Sequence, residues 1–374
     1  MKFTHAASAG ALALVAALAL SSCASTPSTP AASNTPKASS AAIDKNLTGT
    51  ITAGGSSAQA NAEAAWIAAF KTQAAGVTIN YDKSQGSGGG VTNWLAGSYD
   101  FAGSDSPLSP VQQTAAATLC GAGGALNLPV YLDGVAIVFN LTGVSKLNLS
   151  SATVAKIFSL QVKTWNDPAI AADNPGVTLP ATAITTVTRS DGSGTTQNFT
   201  NYLSTVQPTV WTSPASNKWP IAGSSAQQGG SGVVNTVKAG NGTIGYADHS
   251  AIGTLTAASI QVGTGKDFVA FSPKGATNAF TAAAVAAPTT VKGDLAQKLD
   301  YTKITDKSAY PIPLVSYQIV CSAFKTPAQA KLVKAYVGYI ASDIGQKITA
   351  ANAGSAPIPA SMLASIQKSL ALVK

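Results

Sequence analysis

The chain has 374 residues, 45% of them apolar and only 10% charged, with 23 Lys+Arg against 15 Asp+Glu and a formal net charge of +8. That length and apolar share exclude an intrinsically disordered chain and leave room for two domains with real cores. The positive charge is scattered over lysines instead of gathered into runs, which argues against a nucleic-acid partner and suits small anions or an anionic envelope.

The N-terminus reads as an export signal over 1–22: Lys2, the apolar run "ALALVAALAL", then Leu-Ser-Ser-Cys. That ending resembles the bacterial lipobox, in which Cys23 becomes the lipidated first residue of the mature protein. The apolar run is too short to span a bilayer as an uncleaved anchor. The stretch "ASTPSTPAASNTPKASSAA" that follows has no aromatic or large aliphatic residue, so 23–45 is expected to be a disordered tether. Without Lys2 the mature chain keeps 22 Lys+Arg against 15 Asp+Glu, a balance of +7.

Folding is expected to begin near Asn46. A strand "GTIT" leads through Gly54, Gly55, Ser56 and Ser57 into a helix with Trp66, Ile67 and Phe70 at helical spacing. Next, "SQGSGGGVTNWL" places Ser87 and three glycines before a helix that carries Trp94 and Leu95. The short apolar strand "YDFAGSD" ends in Asp105, whose plain reading is a turn or cap residue before Pro107. "LPVYLDGVAIVFN", from Leu128 to Asn140, and "YPIPLVSYQIVC", from Tyr310 to Cys321, are β-rich and would pass between two lobes.

Between them lies "VTRSDGSGTTQNFTNYL", which holds Arg189, the single arginine of the chain. Arginine offers a planar fork of donors that meets carboxylate or phosphate oxygens two at a time, so a chain otherwise built on lysine uses it for geometry. The turn opens a helix, and the N–H groups of Ser193, Gly194 and Thr195 would face an anion from its N-terminus. The plain alternative is a Ser-capped helix with Arg189 paired to Asp191. Each of the three Gly/Ser turns is weak alone; three in one chain with one arginine point to an anion site.

There is also an internal echo. "QGSGGGVTNWLAGSYDFAGSD" (Gln85 to Asp105) and "QGGSGVVNTVKAGNGTIGYAD" (Gln228 to Asp248) share length and order, which suggests similar α/β units, although Gly-rich stretches also match by chance. After export two cysteines remain, Cys120 and Cys321, which allow one disulfide; two buried free thiols are the alternative. His249 is the one histidine left after signal removal, and it reads as a surface or packed residue. No Gly-x-Ser-x-Gly elbow and no Cys/His/carboxylate cluster with metal spacing is present.

The strings "GGSSA", "QGSGGGV", "YDFAGSDSPLS" and "RSDGSGT", in this order, resemble those of the phosphate-binding lipoproteins of bacterial high-affinity phosphate ABC transporters. "KIFSLQVKTWNDPAI" and "GTIGYAD" extend the resemblance over nearly the whole folded chain. It implies an α/β fold of the two-lobed periplasmic-binding-protein type (class II), with two crossover strands and the ligand in the interlobe cleft. One lobe would be 46–130 with 312–374 and the other 131–311. It also implies that Ser57 gives its hydroxyl and Ala58 its N–H to phosphate, and that Ser87 donates similarly. Asp105 would accept the proton that phosphate retains. Arg189, held by Asp191, would clamp the anion, and Ser193, Gly194 and Thr195 would supply further donors. Many members have Thr-Phe where this chain has Ser57-Ala58, and Gly88-Gly89 stands where Ser-Gly is common.

The implied protein is a binding protein without cofactor or metal. It would be a monomer held by lipid on Cys23 at the outer face of the cytoplasmic membrane, delivering inorganic phosphate to an ABC permease. The alternatives are a binder of another tetrahedral oxyanion, a secreted phosphate-ester hydrolase, or a Ser/Thr-rich surface adhesin. The adhesin leaves the three anion turns unexplained.

Overall fold

The computed structural model describes residues 43–374. The expected signal peptide over 1–22, the lipidation site Cys23 and most of the 23–45 tether lie outside the described residues.

In chain order, β1 (Thr48–Gly55) leads to α1 (Ala60–Gln73), β2 (Gly76–Asp82), α2 (Gly86–Leu95), β3 (Phe101–Ser104) and α3 (Pro110–Cys120). The long β4 (Ala125–Asn140) follows, then β5 (Asn148–Leu149), α4 (Ser151–Phe158) and α5 (Pro168–Asp173). Next come β6 (Thr185–Arg189), α6 (Gly194–Val206), β7 (Ser225–Gln227), α7 (Gly229–Ala239) and β8 (Thr243–Asp248). Four short strands, β9 (Thr256–Ala257), β10 (Ser259–Gln261), β11 (Phe268–Val269) and β12 (Ala284–Ala286), surround α8 (Pro273–Ala283). The chain ends with β13 (Gln297–Leu299), β14 (Pro313–Cys321), α9 (Pro327–Ile340), α10 (Asp343–Ala353) and α11 (Ala360–Ala371).

The main sheet runs β2-β1-β3-β14-β4-β8-β6-β7, with β9 beside β4. Its two ends have the same order and sense. β1 lies parallel between β2 and β3, and β6 lies parallel between β7 and β8. Each triplet is built as strand, helix, strand, helix, strand, so α1 and α2 correspond to α6 and α7. The sequence echo between Gln85–Asp105 and Gln228–Asp248 falls on equivalent pieces of this repeat, α2 with β3 and α7 with β8.

β4 joins the triplets. Its first part, to Gly134, pairs antiparallel with β14, and from Val135 onward it pairs with β8. Both β4 and β14 are buried almost throughout, which is why they read as near-continuous apolar runs instead of alternating ones.

The helices cover the faces as their apolar spacing dictates. Trp66 and Phe70 of α1 are fully buried, with Phe70 edge-on to Tyr336 of α9 at 5.2 Å and Trp66 Nε1 donating to Gly345 O at 2.8 Å. At the other triplet, Phe199 of α6 packs against Phe158 at 4.9 Å and Tyr246 at 4.8 Å. Packing reaches back to Ile43, and Lys331 meets Asp44 at 2.7 Å, just before β1.

Cys120, at the end of α3, is bonded to Cys321, at the end of β14, with their Cα atoms 4.9 Å apart. Among the described residues no helix is long and apolar enough to cross a membrane.

Candidate functional site

The site begins where β1, β3 and β6 end. Parallel strands deliver their C-terminal loops to one edge, where helix starts present N–H groups that have no partner within the helix. Gly86 opens α2 at φ +64°, a conformation that side-chain-bearing residues rarely adopt, and a Cβ there would run into the Asp191 carboxylate. Gly194 opens α6 so close to the opposite loops that a Cβ would stand 2.6 Å from both Asp105 Cβ and Ser87 Oγ. The glycines of "QGSGGG" and "RSDGSGT" are therefore spacers that let two loops meet.

Asp105 is the centre of this meeting, and only 3% of it is exposed. Its Oδ1 accepts hydrogen bonds from Ser56 Oγ and from Ser316 Oγ, the latter at 2.6 Å. Its Oδ2 accepts from Ser87 Oγ and Thr195 Oγ1, both at 3.3 Å. The donors come from the β1 loop, β14, α2 and α6. Burial pushes the Asp105 carboxyl up from the ordinary carboxylate range, while the Ser316 and Ser56 hydroxyls, the charge of Arg189 and the Ser87 hydroxyl pull it back.

Arg189, at the end of β6, is also 3% exposed. Its Nε donates to Asp191 Oδ1 at 2.6 Å, and its Nη2 donates to Asp191 Oδ2. Burial raises the Asp191 carboxyl, but the Arg189 hydrogen bonds and charge outweigh it and hold Asp191 below the usual range. The fork is thereby fixed in plane, with its Nη1 hydrogens left over. Gly229 N donates to Asp191 Oδ1 at 3.1 Å, so the start of α7 steadies the same carboxylate.

The remaining expected residues divide. Thr195 reaches Asp105 directly, as does Ser87. Ser193 caps α6 through Thr196 N at 3.1 Å, and its own N–H donates to Asn217 O at 2.8 Å. Ala58 N donates to Ser56 Oγ at 3.1 Å, and Ser57 Oγ accepts from Gly230 N at 3.4 Å. Ser56 and Ser316 touch Asp105 although the sequence alone assigns neither a role, and Asn198 Nδ2 adds a bond to Asp105 O at 2.6 Å. The start of α1, at Ala60, lies beyond the Gly-Ser turn instead of directly on it.

Loops of the two triplets close over this centre. Gly88 N donates to Gly192 O at 2.8 Å, Gln228 Nε2 to Ser84 O at 2.8 Å, and Asn61 Nδ2 to Ser250 O at 2.9 Å. Cavities flank it: one of about 490 Å³ is lined by Ser87, Ser104, Gln197 and Asn217, and one of about 280 Å³ by Asp105, Asn198, Gln297 and Tyr317.

A second buried acidic group lies behind. Asp248 Oδ2 accepts from Ser250 Oγ at 2.8 Å, and Asp133 Oδ2 accepts from Ser250 N at 2.9 Å. Burial and the neighbouring Asp133 push Asp248 up to about 8, and burial pushes Asp133 up to about 7. His249 begins a short turn beside it and stacks its ring on Phe271 at 3.9 Å.

Arranged this way, the site can hold a small oxyanion and receive one proton from it. Comparison with known proteins places the chain in a family. Residues 28–343 match the PBP superfamily domain. Phosphate-binding protein PstS 3 of Mycobacterium leprae is 36% identical over 291 residues, spanning 77% of this chain and 78% of that protein. This chain belongs to the PstS family of phosphate-binding proteins. Its likeness to PstS 3 of Mycobacterium tuberculosis is also 36%, over 306 residues and 81% of each chain. Among solved structures, the phosphate-binding protein from Stenotrophomonas maltophilia superposes with a TM-score of 0.67 at 21% identity, covering 86% of this chain and 93% of that one. PfluDING, a high-affinity periplasmic phosphate-binding protein solved with phosphate, gives 0.66 at 22% over the same shares. These structures share the periplasmic-binding-protein fold with the PstS-family chain.

Proposed function

We propose that this chain captures inorganic phosphate between the two strand triplets and delivers it to an ABC permease. The observation that carries the reading is Asp105: a buried carboxylate that receives four hydroxyls from four separate segments, within the field of the single, Asp191-locked arginine.

The two oxygens of Asp105 have different tasks. Oδ1 is held by Ser56 and Ser316, whereas Oδ2 has two bonds of 3.3 Å from Ser87 and Thr195. Those two hydroxyls can turn to donate to ligand oxygens, and Oδ2 then accepts the proton that phosphate carries. Arg189 Nη1, the first-turn N–H groups of Gly194 and Thr195 and the Ser57 hydroxyl supply the remaining positive field and donors, while the N–H groups of Ala58 and Ser193 hold Ser56 Oγ and Asn217 O. Each charge-assisted hydrogen bond contributes roughly 1.5–3 kcal/mol, enough in sum to replace the hydration of a small dianion.

This reading takes the triplets with their covering helices as two lobes, 46–130 with 312–374 and 131–311. Closure joins Asp105 to α6, so binding draws the lobes together. The same reading makes the protein a monomeric, lipid-anchored component of the outer face of the cytoplasmic membrane, attached through Cys23. It makes it a binder and not a hydrolase, in keeping with a His249 that is stacked on Phe271 and whose burial lowers its basicity.

Calorimetric titration with phosphate and with sulfate tests the central claim. Phosphate should bind and sulfate should be rejected by roughly 10⁴–10⁵, because sulfate has no proton for Asp105. Equal binding of both anions, or turnover of a phosphomonoester, overturns it.

A further inference from the structure

Asp105 ends a longer buried chain that the phosphate reading leaves unused. Ser316 Oγ donates to Asp105 Oδ1, and Gln59 Nε2 in turn donates to Ser316 Oγ at 2.6 Å and to Tyr317 O at 3.0 Å. Gln318 Nε2 donates to Gln59 Oε1 at 2.9 Å and to Glu63 Oε1 at 2.5 Å, and Tyr336 donates to Glu63 Oε2 at 2.6 Å. Gln59, Ser316, Gln318 and Tyr336 are fully buried, away from bulk solvent.

The directions of the protons follow from one atom. Tyr317 O is a backbone carbonyl and can only accept, so the Gln59 atom that meets it is the amide nitrogen. That choice sends the other Gln59 N–H to Ser316 Oγ and leaves Oε1 for Gln318. Ser316 has a single proton, and Asp105 Oδ1 is its acceptor. Ser56 is arranged the same way: Ala58 N donates to its oxygen and its own proton goes to Asp105 Oδ1. Oδ1 thus receives two O–H protons and has no room for one of its own.

We propose that Gln59 is a positioning residue for anion selectivity: its amide makes Ser316 a one-way donor to Asp105 Oδ1 and so confines proton acceptance to the ligand-facing Oδ2. This rests on the reading of Asp105 as the acceptor of the phosphate proton. Without the Gln59 amide, the Ser316 hydroxyl loses the partner that fixes its rotation and can turn a lone pair toward Oδ1. Asp105 can then carry a proton on Oδ1, donate it to Ser316, and meet the ligand as a neutral acid that no longer repels sulfate. Burial already favours that neutral form.

The experiment measures phosphate and sulfate binding by calorimetry for the wild type, Gln59→Leu, Ser316→Ala, the double variant and Asp105→Asn, each checked for folding by circular dichroism. In Gln59→Leu the phosphate-to-sulfate affinity ratio should fall by about tenfold or more, the size of one misplaced hydrogen bond to a charged group. The fall should vanish in the Ser316→Ala background, since Gln59 acts only through that hydroxyl. A purely structural role would weaken both anions alike and persist in that background, and either result overturns the proposal. If Gln59→Leu does not fold, Ser316→Ala alone must lower the ratio, and an unchanged ratio there overturns it. Should Asp105→Asn narrow the ratio while Gln59→Leu does not, only this inference falls. If Asp105→Asn leaves the ratio unchanged, the phosphate-proton reading falls with it.

Discussion

Asp105, directly after β3, and Asp248, the last residue of β8, occupy equivalent places in the two triplets, yet Asp105 has both carboxylate oxygens bonded while the buried Oδ1 of Asp248 has no partner among the described residues. A Cβ at Gly230, in the first turn of α7, would stand 3.2 Å from that oxygen. In the second repeat burial and Asp133 favour the neutral carboxyl, whereas at Asp105 the serine hydroxyls and the charge of Arg189 pull against the same effect of burial.

That neutrality gives a pH dependence. Ordinary aspartates ionise near 4, whereas Asp248 is raised to about 8 and Asp133 to about 7. Between these values the unfolded chain releases protons that the folded chain retains, so stability is greatest on the acid side and falls as pH rises through about 4 to 8. Thermal midpoints between pH 5 and pH 8.5 should decline in the wild type. The decline should be shallower in Asp248→Asn, with a residual slope from Asp133 and from Glu63, which burial raises to about 7. Identical slopes in the two proteins would refute the assignment.

Gly194→Ala separates closure from folding. The added methyl would overlap Asp105 Cβ and Ser87 Oγ at 2.6 Å, atoms that reach it from the other triplet. The variant should keep its thermal midpoint within a few degrees and bind phosphate about 100-fold or more weakly, because closure loses several charge-assisted hydrogen bonds. Small-angle scattering should detect compaction by phosphate in the wild type and none in the variant; compaction in both would count against the lobe movement.

Asp105→Asn tests proton acceptance directly. Its amide can present N–H to sulfate and still offer an oxygen to phosphate, so the gap between the anions should shrink from both sides. Titration near neutral pH gives the answer, and an unaltered gap removes Asp105 from selectivity.

Reduction of Cys120–Cys321 should cost stability and spare binding. The bridge closes a sequence separation of 201 residues, and loss of a native disulfide typically costs 2–5 kcal/mol. Ser316 is five residues from Cys321 along β14, roughly 17 Å of extended strand. Cys120→Ser with Cys321→Ser should lower the thermal midpoint by several degrees and leave phosphate affinity within about threefold. A larger loss of affinity would mean the bridge also shapes the site.

Several of these features were legible in the sequence. Arg189 declared itself by being alone, and the helices after each glycine turn followed from the spacing of Trp66, Trp94 and Phe199. The paired segments ending in Asp105 and Asp248 marked the repeat before any strand order was available. Two things were hidden. Adjacent serines at 56 and 57 differ only in which way the turn after β1 aims them, and that is set by the bond from Ser56 N to Gly103 O, a tertiary contact. Ser316 lies in a β-rich segment with no local sign of its role, because its partner Asp105 is 211 positions away. Local pattern carries no information about pairings of that range.

The position of β14 has a consequence for how the protein comes to be made. This strand separates β3 from β4 and supplies Ser316, yet it begins only at Pro313, after more than four-fifths of the chain has been synthesised. Until then β3 and β4 have no common neighbour, and the first triplet has an open edge. Contacts of such long sequence separation form slowly, since loop closure must be met before they reward it. The last strand to be translated is the one that completes the sheet, so the first triplet cannot close until synthesis is nearly finished.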